Sequence, residues 1–468
     1  MEPVTRPTRP SPLADPLFWA AVVVALALRA APMLIWDWAS DDCTRDECIY
    51  KIVAKPILSG EGLGLAPAFW LPAPGYAYLM AACHALFGNF ESVKWVQWAL
   101  TVPTMAMLYA LAARVGGEKR AARLLAWGFA IHPTFVFYTG TMWTETVYTT
   151  LLVTLTLGLL WAREGGARRA IVPGLALGLS VLFRGVATYL APIVVAALVA
   201  PEVLTAGRAA WAESWTRQRG HAAALVATLL LVVAPYSVAA SLRWGGFVVS
   251  DATLGHVASL GNDDFPPVTF DYGIGQLTGD VYDATRNSGQ VNCPRRLGVL
   301  EMDQCKIDEV KHWIAHHKAE FVRRIPTRLA QLFNPHSFLT RHLRWNDWPG
   351  IPWELKELLV AYQALFTMGV VWLGTLAIWG RARGAVGLVT VGLIAYTVGV
   401  IATVYGISRF RLPLEPFWML WLAVALTDVR GSWRSLTASN WRLAGAMITL
   451  PTLIVLTLRY AWSGWPGL

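Results

Sequence analysis

Long apolar stretches alternate with short polar ones along nearly the whole chain. This is the pattern of a polypeptide that crosses a bilayer repeatedly. The apolar runs are Pro16–Trp36, Val93–Val115, Ala121–Thr139, Trp143–Trp161, Ala170–Phe183, Val186–Ala200, Ala222–Ser241, Leu358–Trp379, Ala385–Val404, Leu412–Leu426 and Leu443–Leu458. In lipid a helix satisfies its own backbone groups. The expected fold is therefore an all-α polytopic membrane protein with about eleven transmembrane helices. The first run is too long for a cleaved signal peptide and lacks a small-residue cleavage site, so it reads as a retained span.

Orientation follows from Lys and Arg in the short connections. With the N-terminus inside, Arg6 and Arg9 fall on the inner side, as do Lys119, Arg120 and Arg123, then Arg163, Arg168 and Arg169. Arg208, Arg217 and Arg219 follow, then Arg381 and Arg383, and finally Arg430, Arg434 and Arg442. Every second connection is basic. The apolar segment Phe69–Phe87 would reverse this order if it crossed. It is read instead as a helix lying at the outer surface, entered through Pro67, Pro72 and Pro74, with Tyr76 and Tyr78 toward the head groups.

Two long outer segments result, Asp37–Ser92 and Leu242–Lys356. The second contains polar turns and a predicted amphipathic helix over Lys306–Phe321. The expected division is a transmembrane module over residues 1–241 with its first outer loop at 37–92, an extracytoplasmic segment over 242–356, and C-terminal helices over 357–468.

Composition sharpens the class. Of 468 residues 55% are hydrophobic and only 15% charged, too few charges for a soluble domain of this size. The net charge of +9 reads as the positive-inside signal rather than as a nucleic-acid surface. The 24 Trp read mostly as interface anchors. Four of the five cysteines, Cys43, Cys48, Cys293 and Cys305, fall outside, an even set that suits disulfides in an oxidising compartment. Of the three pairings, the local Cys43–Cys48 and Cys293–Cys305 are preferred. His312 and His316 have the i, i+4 spacing of a zinc pair but lack the Glu of a zincin, and read as surface residues.

Candidate chemistry gathers on the same outer side. Asp41, Asp42, Asp46 and Glu47 lie in the first outer loop, where Asp41 and Asp42 read as plain loop acids. Glu145 stands at the outer end of a span, Arg184 between two short spans, and Arg409 and Arg411 in an outer turn. Ionisable residues at membrane depth are costly and are functional candidates by default. Arginines at the lipid–water boundary suit a phosphate, which their planar fork binds bidentately. A carboxylate beside them suits deprotonation of an attacking hydroxyl. Together they describe group transfer from a lipid phosphate to an acceptor at the outer surface.

The order of motifs also resembles a family. Arg45-Asp46-Glu47-Cys48-Ile49-Tyr50 with Ala54, Leu58 and Gly60 resembles the first-loop motif of GT-C glycosyltransferases of the protein O-mannosyltransferase and aminoarabinose-transferase type. Pro72-Ala73-Pro74-Gly75-Tyr76 with Leu86-Phe87-Gly88 is similar to that family's Pro-Pro-Gly-Tyr and Leu-Phe-Gly segment, with Ala73 in place of the first proline of the pair. Gly174 to Arg184 and Tyr405 to Pro413 are similar to two further family stretches. The resemblance implies a GT-C fold with a shared module of about seven helices, a polyprenyl-phosphate-linked sugar donor and an inverting transfer.

The resemblance also implies Asp46 as the catalytic acid-loop residue, with Glu47 beside it. Tyr50, Tyr76, Glu145, Arg184, Arg409 and Arg411 are the candidate substrate-binding residues. The sequence fixes no cofactor; a divalent metal ion is a candidate, with Asp46, Glu47 or Glu145 as ligands. The acceptor would be a glycan, lipid or protein, and the enzyme would sit in a prokaryotic inner membrane with its site on the extracytoplasmic side. The competing readings are a lipid-linked sugar flippase and a polymerase or ligase using a lipid-diphosphate donor.

The topology has a direct test. A cysteine introduced at Asn287 is expected to react with an impermeant thiol reagent in intact cells, above the background of the unsubstituted chain. Labelling only after the membrane is opened would reverse the orientation.

Overall fold

The computed structural model describes residues 10–35, 46–62, 71–199, 203–262, 293–294, 297–344 and 350–461. Arg6, Arg9, Asp41, Asp42, Cys43, Pro67 and Asn287 lie outside the described residues, as do the side chains of Asp46 and Arg208.

The described residues are predominantly helical. α1 (Pro16–Ile35) precedes two short helices, α2 (Asp46–Leu58) and α3 (Gly75–Phe87), and then α4 (Ser92–Gly116). α5 (Lys119–Ile131), α6 (Pro133–Thr139), α7 (Glu145–Arg163), α8 (Ile171–Phe183), α9 (Ala191–Val199) and the long α10 (Val203–Trp244) follow. α11 (Leu254–Ser259), α12 (Val299–His316), α13 (Lys318–Leu332) and α14 (Phe338–Arg344) lie in the stretch expected to form the second outer segment. The chain continues with α15 (Trp353–Arg381), α16 (Gly384–Thr403), α17 (Glu415–Thr427), α18 (Val429–Thr437) and α19 (Asn440–Ala461). Among the described residues there is no strand, only a bridge between Leu71 and Ala252 that ties the start of α3 to the second outer segment.

Among the described residues each apolar run read from the sequence lies largely in helix, but not every helix is a full span. Seven described helices are long and apolar enough to cross a membrane, or eight if the pair joined at a 105° bend after Thr427 is one span. The shortfall against about eleven has a local cause. The run Ala121–Thr139 breaks at His132, whose ψ of 113° is the extended conformation that a following proline, Pro133, imposes. α8 has 13 residues and α9 has 9. At 1.5 Å per residue, 13 residues reach about 20 Å, short of a hydrocarbon core of about 30 Å. The helix expected over Lys306–Phe321 likewise turns at His317, dividing α12 from α13.

α3 begins at Gly75 rather than Phe69, because Leu71 is held extended by its bridge and Pro72 and Pro74 follow. Its orientation also differs from the expectation. Tyr76 is fully buried, not turned toward head groups, whereas Tyr78 stays 37% exposed. Gly88, at φ +79°, stops α3 in the left-handed conformation and returns its N–H to His84 O at 2.7 Å.

Small residues set the closest helix contacts. A Cβ at Gly174 would lie 2.7 Å from Leu225 O, and one at Gly178 would lie 2.7 Å from Val232 Cβ. The one-turn spacing of these glycines therefore lets α8 lie directly on α10. Trp418 and Trp421 are buried rather than interfacial, with Nε1 donating to Thr375 Oγ1 and Thr390 Oγ1 at 3.1 and 3.0 Å. A buried indole needs such a partner.

The two ends of the bundle are tied differently. At the end that carries the basic connections, Asp15 accepts from Tyr109 at 2.6 Å and from Arg123 at 2.8 and 3.0 Å, joining α1, α4 and α5. The Arg123 guanidinium holds the Asp15 carboxyl down to about 2. A lowered carboxyl pKa stabilises the fold above its unfolded value, so this tie is lost only as pH falls toward 2.

Midway along α1, Arg29 is 1% exposed. It donates to Phe129 O and Ala130 O, each at 2.9 Å, and its guanidinium lies 5.0 Å from the Phe129 ring. These are the last carbonyls of α5, left open where the helix breaks before Pro133. Arg29→Met is expected to cost about 1–3 kcal/mol by leaving them unpaired, read as a lower unfolding midpoint of the purified protein. Leu28→Ala, at a half-exposed neighbouring position, is the comparison; equal losses in both would overturn the capping role.

Candidate active site

The site forms where several short elements end at the pole opposite Asp15. α2 opens with Asp46 and Glu47, placing both in a first helical turn that favours negative charge. Glu47 Oε2 accepts from Trp143 Nε1 at 2.9 Å. Trp143 lies in the turn between α6 and α7, and two residues later Glu145 starts α7 with its carboxylate buried.

Glu145 is the hub. Arg184 reaches its Oε1 through Nη2 and donates from Nε to Thr144 Oγ1 at 2.8 Å. Arg409 Nε lies 3.7 Å from the same Oε1. Oε2 of Glu145 is buried without a hydrogen-bond partner among the described residues. Two guanidiniums thus face one buried carboxylate. Aromatic rings flank both cations. Arg409 Cζ lies 5.6 Å from the Trp143 centroid and 5.7 Å from that of Phe338; Arg184 Cζ lies 5.2 Å from that of Tyr148. Such faces hold a guanidinium without neutralising it.

The close packing that aims Arg184 is visible in the chain's glycines. Arg184 follows the last residue of α8, and a Cβ at Gly75 would lie 2.6 Å from Phe183 Cδ2. Gly185 leaves room for the Asp251 carboxyl, which burial pushes up to about 6.

The two arginines of the outer turn part ways. The side chains of Arg184 and Arg409 remain 15% and 19% exposed, but that of Arg411 only 2%. Arg411 points inward, donating to Glu415 Oε1 at 2.8 Å, Leu332 O at 2.7 Å and Asn334 O at 2.8 Å. It thereby caps the end of α13. Glu415 Oε2 lies 2.5 Å from His132 Nε2, and His132 Nδ1 accepts from Phe135 N at 3.4 Å at the start of α6. Arg328 caps a neighbouring end, donating to Ala402 O at 2.7 Å and Gly261 O at 2.8 Å. These groups lie under the site rather than in it.

Tyr50 and Tyr76 meet edge to face with centroids 4.9 Å apart. The Tyr76 hydroxyl donates to Gln97 Oε1 at 3.0 Å, and Gln97 Nε2 donates to Thr139 O and Thr141 O at 3.1 and 2.6 Å. Tyr76 is thus a strut between α3, α4 and the turn that carries Trp143. Sequence reasoning missed Gln97, His132, Glu415, Arg29 and Arg328. All but Arg328 are polar groups within an apolar run, the signal that would have found them; Arg328 sits in a polar helix that carries no such signal.

A metal site is less well supported. Among the described residues no three His, Cys, Asp or Glu side chains come together as a ligand set. Glu47 and Oε2 of Glu145 are hard oxygen donors, but two guanidiniums already occupy the other face of Glu145, and Mg²⁺ or Ca²⁺ takes about six or more oxygens. His312 and His316 are exposed on α12 with rings 4.1 Å apart. Cys293 and Cys305 are joined by a disulfide with Cα atoms 5.9 Å apart. Cys48 is buried in α2, and its proposed partner Cys43 lies outside the described residues.

No protein-family model matches the chain. It is similar to an undecaprenyl phosphate-alpha-4-amino-4-deoxy-L-arabinose arabinosyl transferase of Pseudomonas aeruginosa, 29% identical over 211 residues. A protein of the same description from Pseudomonas paraeruginosa matches at the same identity. The alignment covers 42% of this chain and spans only 36% of the length of the relative. Among solved structures, ArnT from Cupriavidus metallidurans bound to undecaprenyl phosphate aligns with 96% of this chain and 76% of its own, at 12% identity and a TM-score of 0.49. The oligosaccharyltransferase AglB from Archaeoglobus fulgidus aligns with 96% of this chain and 56% of its own, at 16% identity and a TM-score of 0.47.

Arg411→Ala would strand the buried Glu415 carboxylate and is expected to cost about 3–5 kcal/mol, seen as a markedly lower unfolding midpoint. Arg409→Ala, with its side chain partly exposed, is expected to leave the midpoint near that of the parent. Equal midpoints for both variants would contradict the division of roles.

Proposed function

We propose that this integral membrane protein is a GT-C type glycosyltransferase. It transfers a sugar from a polyprenyl-phosphate-linked donor to an acceptor hydroxyl at the extracytoplasmic face, with inversion. The observation that carries this reading is the convergence of Arg184 and Arg409 on Glu145 beside Glu47, at the pole opposite the basic connections. Both guanidiniums of the cluster keep partial exposure, so their forks are open to a phosphate.

In this reading Arg184 and Arg409 bind the donor phosphate. Their planar forks pair with its oxygens while Tyr148, Trp143, Phe338 and Phe410 keep them oriented. Glu145 holds the two arginines in register. Asp46 accepts the proton of the acceptor hydroxyl as it attacks the anomeric carbon from the face opposite the phosphate. The bond from the anomeric carbon to the phosphate oxygen breaks, and the lipid phosphate leaves as an anion that the arginines stabilise. A leaving phosphate needs no strong general acid. Glu47, fixed by Trp143, positions the acceptor. Confinement of both reactants at one pole supplies part of the rate. Arg411 and Tyr76 support this geometry from beneath. The inner pole is tied by Asp15 to Arg123 and Tyr109, which favours a one-sided enzyme over a flippase needing access from both sides.

The test is transfer and donor binding by the purified protein with polyprenyl-phosphate-linked sugars, the donor class first identified by mass spectrometry of co-purified lipids. Arg184→Ala and Arg409→Ala are expected to weaken donor binding by about 1.5–3 kcal/mol each. Asp46→Asn is expected to slow transfer about 10²–10⁴-fold while leaving donor binding nearly unchanged. Glu47→Gln should lose less. Near-normal turnover in folded Asp46→Asn would remove the proposed base, and unchanged donor affinity in both arginine variants would remove the phosphate site.

A further inference from the structure

At the pole that carries the basic connections, the chain turns by 105° between α17 and α18. α17 completes the apolar stretch Ser408–Thr427. With that stretch set across the bilayer, α18 lies roughly along its surface. Asp428 makes the turn, capping α18 by accepting from Gly431 N at 2.9 Å. One face of α18 is docked on the bundle. Arg381 donates from Nε to Ser432 Oγ and Arg383 from Nη2 to Ser435 Oγ, each at 2.7 Å. Leu436 is buried on the same side.

The rest of α18 faces away from the protein. At about 100° per residue it divides into two edges. Val429 and Trp433, one turn apart, form an exposed apolar edge. Arg430 and Arg434, each one residue further on, form an exposed basic edge. Neither guanidinium has a hydrogen bond or an ion pair among the described residues. Asp428, the N-cap of the same helix, is already paired with Arg381. It is also the last acid of the chain, since no Asp or Glu follows it up to Leu468. Exposed apolar side chains continue in α19, at Trp441, Met447 and Ile448.

We propose that α18 is a seat for the head group of an anionic phospholipid. Val429 and Trp433 enter the hydrocarbon boundary of the leaflet, the level that an indole ring favours. Arg430 and Arg434 have the spacing of neighbours on a helix surface, with Cβ atoms about 5–6 Å apart. Their forks close on the phosphate from two sides. A zwitterionic head group brings an ammonium, and α18 and α19 hold no carboxylate to meet it. A free phosphate would use the arginines but leave Val429 and Trp433 in water. An apolar edge beside an unpaired basic edge fits the surface of a leaflet that carries net negative charge.

The first measurement is native mass spectrometry of the full chain in detergent with equal amounts of phosphatidylglycerol and phosphatidylethanolamine of matched acyl chains. Phosphatidylglycerol is expected to be retained about tenfold over phosphatidylethanolamine. Arg430→Gln with Arg434→Gln should bring the two lipids to near parity. Arg217→Gln with Arg219→Gln removes the same charge from exposed positions of α10 at this pole and should keep the preference. The second measurement places a nitroxide on Trp433→Cys in vesicles of the same two lipids, read above the background of the unsubstituted chain. Oxygen is expected to relax it more than a water-soluble nickel chelate does. Equal retention of the two lipids by the parent, a preference unchanged in Arg430→Gln with Arg434→Gln, or equal loss in both double variants would overturn the seat. So would greater access of the chelate, which would turn this face to water and to a soluble partner. Neither readout involves sugar transfer, so the seat stands or falls apart from the outer active site.

Discussion

A helix that ends inside a membrane-spanning bundle leaves carbonyl groups that no water can satisfy, and this chain ends several helices that way. Buried arginines close them. Arg29 takes the last carbonyls of α5, Arg328 those at the end of α16, and Arg411 those at the end of α13. A guanidinium carries five N–H groups in a fixed fork, so one side chain can serve several carbonyls from different segments. Without these caps the helix ends at His132, Phe333 and Val404 would be too costly to keep. The polar pole of the bundle is built from those breaks.

Under the site the caps are coupled. Glu415 balances Arg411 and lies against His132, so one carboxylate fixes the end of α13, the turn before α17 and the start of α6. Arg409 stands two residues from Arg411 and Trp143 a few residues beyond α6. The position of the exposed cluster is thus inherited from the buried one. Burial divides the labour: Arg411 is buried and donates to Glu415, Leu332 and Asn334, whereas Arg184 and Arg409 share Glu145 and stay partly exposed.

The two poles then differ in kind. The inner one is closed by paired ions, Asp15 with Arg123 and Arg381 with Asp428, beside a cavity of mixed charge. The outer one gathers partly exposed Arg184 and Arg409 on Glu145 among aromatic rings. This asymmetry is what a one-sided transferase requires, and the alternation of basic connections along the chain already implies it.

Hydrophobic period and the placement of Lys and Arg determined the all-α class, the position of every apolar helix and the sharing of one side by Glu145, Arg184 and Arg409. Those properties are local: transfer to lipid and the cost of moving charge across it act on each segment by itself. The sequence also marked Gly75, Gly174 and Gly178 through family-like motifs, but not their purpose. Packing supplied it, since a missing Cβ matters only against Phe183, Leu225 or Val232. Which helices fall short of a span, whether Tyr76 faces outward or inward, and why Arg411 differs from Arg409 were settled only by tertiary structure. Each depends on partners far along the chain, such as Gln97 for Tyr76 and Leu332 with Asn334 for Arg411. A residue's type fixes what bonds it can make, but only the fold decides whether those bonds are already filled.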